Sequence, residues 1–104
     1  MIVMKLEFTF SVGQSEPHVV HFSFDQAWGF LIISVDGKPV IKDWRLISFS
    51  LSKQYRFTVG EKERHDVVII KERKLVAAAV RSQVCRVFID GTFAGEYGSQ
   101  PPLS

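Results

Sequence analysis

Three histidines, one cysteine and a scatter of carboxylates are the side chains that could carry chemistry in this sequence. His18 and His21 stand in the run His18-Val19-Val20-His21-Phe22, which alternates like a strand. Three positions apart on a strand, the two rings point to opposite faces. A metal site on a strand wants ligands two apart on one face, and no Cys or further His lies nearby. The spacing predicts capped or solvated histidines and no metal centre. His65 falls in Glu61-Lys62-Glu63-Arg64-His65-Asp66, whose mixed signs read as a solvated hairpin tip and not a phosphate-binding patch. Cys85 precedes the apolar run Arg86-Val87-Phe88-Ile89, where a cysteine behaves as a small hydrophobe. A nucleophilic role would need a base beside it and an oxyanion hole, and the sequence shows neither.

The carboxylates form no acid–base pair pattern. Asp36 and Asp90 stand before Gly37 and Gly91 and are taken up by turns, while Asp25, Asp43 and Asp66 flank strand patterns. The glycines are single and scattered, with no phosphate-cradling loop and no nucleophile elbow. Basic residues on strands, among them Arg45, Arg56, Arg73 and Arg86, protect sheet edges by their charge and are the candidate contacts to a protein partner. No catalytic, cofactor-binding or metal-binding residue is expected.

The elements that must position these side chains have period two. Ile47, Phe49 and Leu51 alternate with Ser48, Ser50 and Ser52; Tyr55 to Val59 repeats the pattern. Leu6, Phe8 and Phe10 form one face near the start, and Val20, Phe22 and Phe24 another. Trp28 to Val35, Asp66 to Ile70 and Leu75 to Val80 are apolar on both sides, which predicts strands in the middle of a packed sheet or inside a closed barrel. Asp36-Gly37 and Asp90-Gly91 read as tight hairpin turns. Gly13 to Pro17, Asp25 to Ala27, Gly60 to His65 and Arg73-Lys74 supply the other breaks. The sum is an all-β domain of about eight antiparallel strands, a β-sandwich or flattened barrel. It spans residues 1–97 as a single domain, with 98–104 as a flexible C-terminal tail. Trp44 follows the first hairpin, and a bulge near Asp43 is expected to turn it inward. The hairpin before Trp44 echoes the one before Tyr97, and the echo is read as shared turn chemistry, since one pair makes no repeat array.

Composition narrows the function classes. The chain has 104 residues, 46% of them hydrophobic, and a net charge of +2, which excludes a disordered segment. One cysteine excludes a disulfide scaffold. No apolar run approaches the ~20 residues of a membrane helix. Thirteen Lys and Arg against eleven Asp and Glu make no field for nucleic acid. Met1 to Glu7 lacks the features of an export signal, so a cytoplasmic protein is expected.

The order of features carries a resemblance. His18-Val19-Val20-His21-Phe22 is followed by Leu31 to Gly37 (LIISVDG) with Lys38, then by Lys42-Asp43-Trp44, then by Tyr55-Arg56-Phe57-Thr58-Val59-Gly60. After these come Val67 to Ile70, and Arg86 to Gly91 with a closing Tyr97. Together they resemble the β-domain of the Fas apoptotic inhibitory molecule family, over roughly Lys5 to Tyr97. The sequence departs from the family at Thr92, where Lys is commoner. The resemblance implies a non-enzymatic, cytoplasmic, all-β protein that regulates apoptosis by protein contacts, with no cofactor and no catalytic residues. The alternative is a β-barrel that binds a small apolar ligand, its two-sided apolar strands lining a cavity.

Overall fold

The computed structural model describes residues 5–25, 30–44, 52–76 and 80–99. Eight strands occupy them: β1 (Lys5–Val12), β2 (His18–Asp25), β3 (Phe30–Val35), β4 (Lys38–Trp44), β5 (Ser52–Val59), β6 (His65–Val76), β7 (Val80–Ile89) and β8 (Thr92–Ser99). They form two antiparallel sheets in sequence order, β1-β2-β3-β4 and β5-β6-β7-β8. The all-β expectation holds, and two separate sheets make this a sandwich and not a closed barrel.

Alternation builds the core. Leu6 and Phe8 of β1, Val20, Phe22 and Phe24 of β2, and Leu31 and Ile33 of β3 are buried, as are Tyr55, Val59, Val67, Ile69, Cys85 and Val87 of the second sheet. The layers meet ring on ring where Phe8 stacks on Tyr97 at 4.1 Å between centroids, and within the first sheet Phe8 also stacks on its ladder partner Phe22 at 4.7 Å. Lys71 sets its ammonium 3.9 Å from the Phe24 ring centre. At the other margin Tyr55 donates its hydroxyl proton to Asp43 Oδ2 at 2.9 Å.

The hairpins at Asp36-Gly37 and Asp90-Gly91 form as expected. Asp36 and Gly37 have φ of 51° and 82°, Asp90 and Gly91 of 53° and 81°. Two successive positive φ values make the tight turn whose twist matches the flanking strands.

Other expectations are corrected. Arg73-Lys74 is no break: β6 runs through it, with Arg73 opposite Gln83 and Lys74 opposite Ser82. Leu75 to Val80 is not one strand, because Val76 and Val80 are register partners on β6 and β7. Pairing with a long neighbour outweighs the local charge that suggested a turn. Gly98 and Ser99, assigned to the tail, extend β8 opposite Val84 and Gln83. The bulge falls at Val40, since Ser34 pairs with Pro39 and Ile33 with Ile41, while β4 stays in register from Ile41 to Trp44. Trp44 is opposite Phe30 in the ladder, and its side chain lies outside the described residues. The strand expected over 45–52 and the tail beyond Ser99 also lie outside them, apart from Ser52 at the head of β5.

The second half repeats the first. Gly13, Glu16, His18, Asp36 and Gly37 recur as Gly60, Glu63, His65, Asp90 and Gly91 at the same places in the two sheets. Even the bulge recurs: Phe88 pairs with Phe93 and Val87 with Gly95, leaving Ala94 as the extra residue. The echo between hairpins therefore belongs to a structural repeat that covers both sheets. The margin contacts obey the same two-fold relation, Phe8 with Tyr97 on one side and Tyr55 with Asp43 on the other.

Candidate functional site

The repeat places its two β-strand connections, residues 13–17 and 60–64, side by side. Gly13 and Gly60 open them at φ of 98° and 101°. A Cβ there would stand 2.3 Å from the Glu16 carbonyl oxygen and 2.0 Å from that of Glu63, so only glycine fits. Each bend then aims three consecutive backbone N–H groups at one point, a concavity suited to an anion.

The anion comes from the opposite loop. Glu63 Oε2 accepts from the Gln14 N–H at 2.9 Å, and Oε1 from Ser15 at 2.7 Å and Glu16 at 3.1 Å. Glu16 Oε2 accepts from the Glu61 N–H at 2.7 Å, and Oε1 from Lys62 at 2.8 Å and Glu63 at 3.3 Å. Each glutamate therefore clasps the loop that carries the other.

A histidine braces each clasp. The His18 ring lies between Asp36 Oδ2 on Nδ1 and Glu16 Oε2 on Nε2, both at 2.5 Å. His65 lies between Asp90 Oδ2 at 2.6 Å and Glu63 Oε2 at 2.5 Å. An imidazole can donate from both nitrogens only when protonated. Hydrogen bonds to Asp36 and then Glu16 accordingly raise the pKa of His18, and bonds to Asp90 and then Glu63 raise that of His65. Glu16 is lowered to about 2, first by the Glu61 N–H and then by His18. Glu63 is lowered to about 2, first by His65 and then by the Gln14 N–H. Asp36 and Asp90 are lowered chiefly by their histidines. The aspartates also bind the neighbouring strand, through Val19 N–H to Asp36 Oδ1 and Asp66 N–H to Asp90 Oδ1, each at 2.9 Å.

Chemically this is a lock. A histidine with both nitrogens donating has no lone pair to act as a base. Among the described residues no group of His, Cys, Asp and Glu is arranged to hold a metal ion. Cys85 is fully buried, opposite Tyr97 in the β7–β8 ladder, and burial pushes its thiol up to about 12. His21 sits apart on the outer face of the first sheet, against Glu7 at 3.0 Å and Thr9 at 3.1 Å.

Sequence reasoning missed Glu16 and Glu63, and read 61–66 as a solvated tip. The signal was present as Gly-x-x-Glu-x-His, standing at 13–18 and again at 60–65.

Of the candidate contact arginines, Arg56 and Arg86 share the outer face of the second sheet. Arg56 forks onto Asp66, with Nη2 at 2.9 Å and Nε at 3.2 Å. Arg86 bridges Glu72 at 2.7 Å and Glu96 at 3.2 Å. Arg73 lies on β6, its side chain outside the described residues, as is Arg45 altogether.

That outer face differs from its twin. Across the first sheet one outward row reads Thr9, His21, Ser34, Pro39. The equivalent row of the second reads Arg56, Val68, Phe88, Phe93. In the next row Ser23 is matched by Ile70, and Ile32 by Arg86. Phe93 is 56% exposed and meets Phe88 edge to face at 5.7 Å. β6 lies in the middle of its sheet, as its two-sided apolar run predicts, and its outward Val68 and Ile70 are half-buried. No family model matches the chain, and no curated protein matches it.

Proposed function

We propose that the chain is a non-enzymatic protein-interaction module, cytoplasmic and similar in role to the Fas apoptotic inhibitory molecule family, acting in apoptosis regulation by protein contacts. Its contact surface is the outer face of β5–β8. The observation that carries this reading is the contrast between equivalent rows, Thr9-His21-Ser34-Pro39 against Arg56-Val68-Phe88-Phe93. The two sheets share one hydrogen-bonding frame, so folding asks the same of both outer faces. In this row a polar set satisfies the fold in the first sheet, while the second sheet places Phe93, 56% exposed, beside half-buried Phe88 and Val68; the exposed apolar side chains of the first sheet, Val19, Phe30 and Val40, stand outside the row. The ion pairs of Arg56 and Arg86 frame it, giving the mixed apolar centre and charged margin of a recognition surface. The partner is a protein presenting an apolar patch of its own.

The test is a variant with Val68→Thr and Phe93→Ser, compared with Val19→Thr on the first sheet. A partner found by pull-down should be bound by wild type and by Val19→Thr, and lost by the double variant with its melting temperature kept. Binding retained by the double variant would overturn the surface. Loss of the biological effect on Cys85→Ser or a histidine substitution alone, in a folded protein, would overturn the non-enzymatic reading.

A further inference from the structure

The two sheets are held together by side chains and loops, with no strand pairing between them among the described residues. Every strand ladder among the described residues lies within 5–44 or within 52–99. Parting the sheets breaks no ladder hydrogen bond. It breaks the shared core, the Phe8–Tyr97 stack, the Tyr55–Asp43 bond and the two clasps. All of these run between one half and the other. A second copy of the chain offers the same halves, with the same complementary surfaces.

We propose that the chain also assembles with a second copy of itself by exchanging halves. β1–β4 of one copy closes on β5–β8 of the other, and β5–β8 of the first closes on β1–β4 of the second. Each closed unit then has the core and both clasps of the monomer, formed between chains. Because contacts within and between copies are the same, concentration decides between the closed and exchanged forms. Recognition rests on the clasp. Glu16 must find the N–H groups of 61–63 and Glu63 those of 14–16, which fixes how one half seats on another. This assembly leaves the outer face of β5–β8 free, so it stands independently of the contact surface proposed above.

Ser15 and Lys62 report on it, because their side chains are exposed while only their backbone N–H groups enter the clasp. One full-length copy carries Ser15→Cys and a second carries Lys62→Cys; Cys85 stays, being buried. The two are unfolded together, refolded at about millimolar and about micromolar concentration, and treated with a short bis-maleimide. A single chain carrying both substitutions is the intramolecular control. The expected result is a cross-linked heterodimer from the concentrated mixture that falls away in the dilute one, unchanged when Val68→Thr and Phe93→Ser are added. Internal cross-linking of the control, with no heterodimer from the mixture at either concentration, would overturn the proposal. So would a heterodimer that disappears with Val68→Thr and Phe93→Ser, since it would come from docking of outer faces.

Discussion

Glu16 and Glu63 hold each other's loops: each carboxylate accepts three consecutive backbone N–H groups of the connection in which the other glutamate stands. The residues are remote in sequence and equivalent in the repeat. Each therefore satisfies donors that the opposite loop leaves open, across the pseudo-two-fold, and the two sheets are tied at that end of the molecule.

The crosswise pattern makes a specific prediction. Glu16→Ala should speed amide exchange at Glu61, Lys62 and Glu63, and Glu63→Ala should do so at Gln14, Ser15 and Glu16. The acceleration should be about tenfold or more, confined to the opposite loop. Hydrogen exchange followed by NMR reads it directly. Acceleration in the mutated residue's own loop alone would contradict the clasp.

The pH dependence follows from the signs of the shifts. Glu16 and Glu63, lowered from 4.5 to about 2, give stability that is present above 4.5 and lost as pH falls toward 2. His18 and His65 are raised, so their contribution is complete below 6.5 and is lost as pH climbs from there through the raised folded values. The melting temperature should peak between these limits. His18→Gln with His65→Gln should flatten the alkaline side of that curve; an unchanged slope would show that the rings are not protonated in the fold.

Glycine substitutions should separate by their surroundings. At Gly37 and Gly91 nothing lies near an added Cβ, so alanine costs only the left-handed backbone, about 1–2 kcal/mol. At Gly13 and Gly60 the Cβ also meets a carbonyl oxygen at 2.3 and 2.0 Å, and the loop must move. Chemical denaturation should therefore rank Gly13→Ala and Gly60→Ala as clearly the more damaging. An equal cost at all four sites would remove the steric argument.

Cys85 should be inert in the folded protein and react with thiol reagents at the rate of global unfolding. Cys85→Ser buries a hydroxyl in an apolar core and should cost about 1–3 kcal/mol, while Cys85→Ala costs the cavity of one sulfur atom. Rapid labelling under native conditions would contradict its burial.

Much of the architecture was legible because it rests on local rules. Period-two alternation marked Leu6-Phe8-Phe10, Val20-Phe22-Phe24 and Tyr55-Phe57-Val59, each of which lies on a described strand. Asp36-Gly37 and Asp90-Gly91 announced their turns because two positive φ values in succession suit few residues. Cys85 read as a small hydrophobe from its apolar neighbours and is fully buried. The clasp was not legible. A carboxylate bound to backbone N–H groups of a distant loop leaves no periodic mark, and Glu63 inside a mixed charge run looks like any solvated acid. β6 through Arg73-Lys74 was hidden too, because the partner strand that carries the chain past two charges is known only from the register. The character of the outer faces was undecided for the same reason: Val68 and Ile70 are apolar in sequence whichever way they point. Only the packing of the two sheets, which takes Val67 and Ile69 into the core, turned Val68, Ile70 and Phe88 outward. Local propensity sets the strands and turns of this chain, and long-range pairing sets which of their side chains remain at the surface.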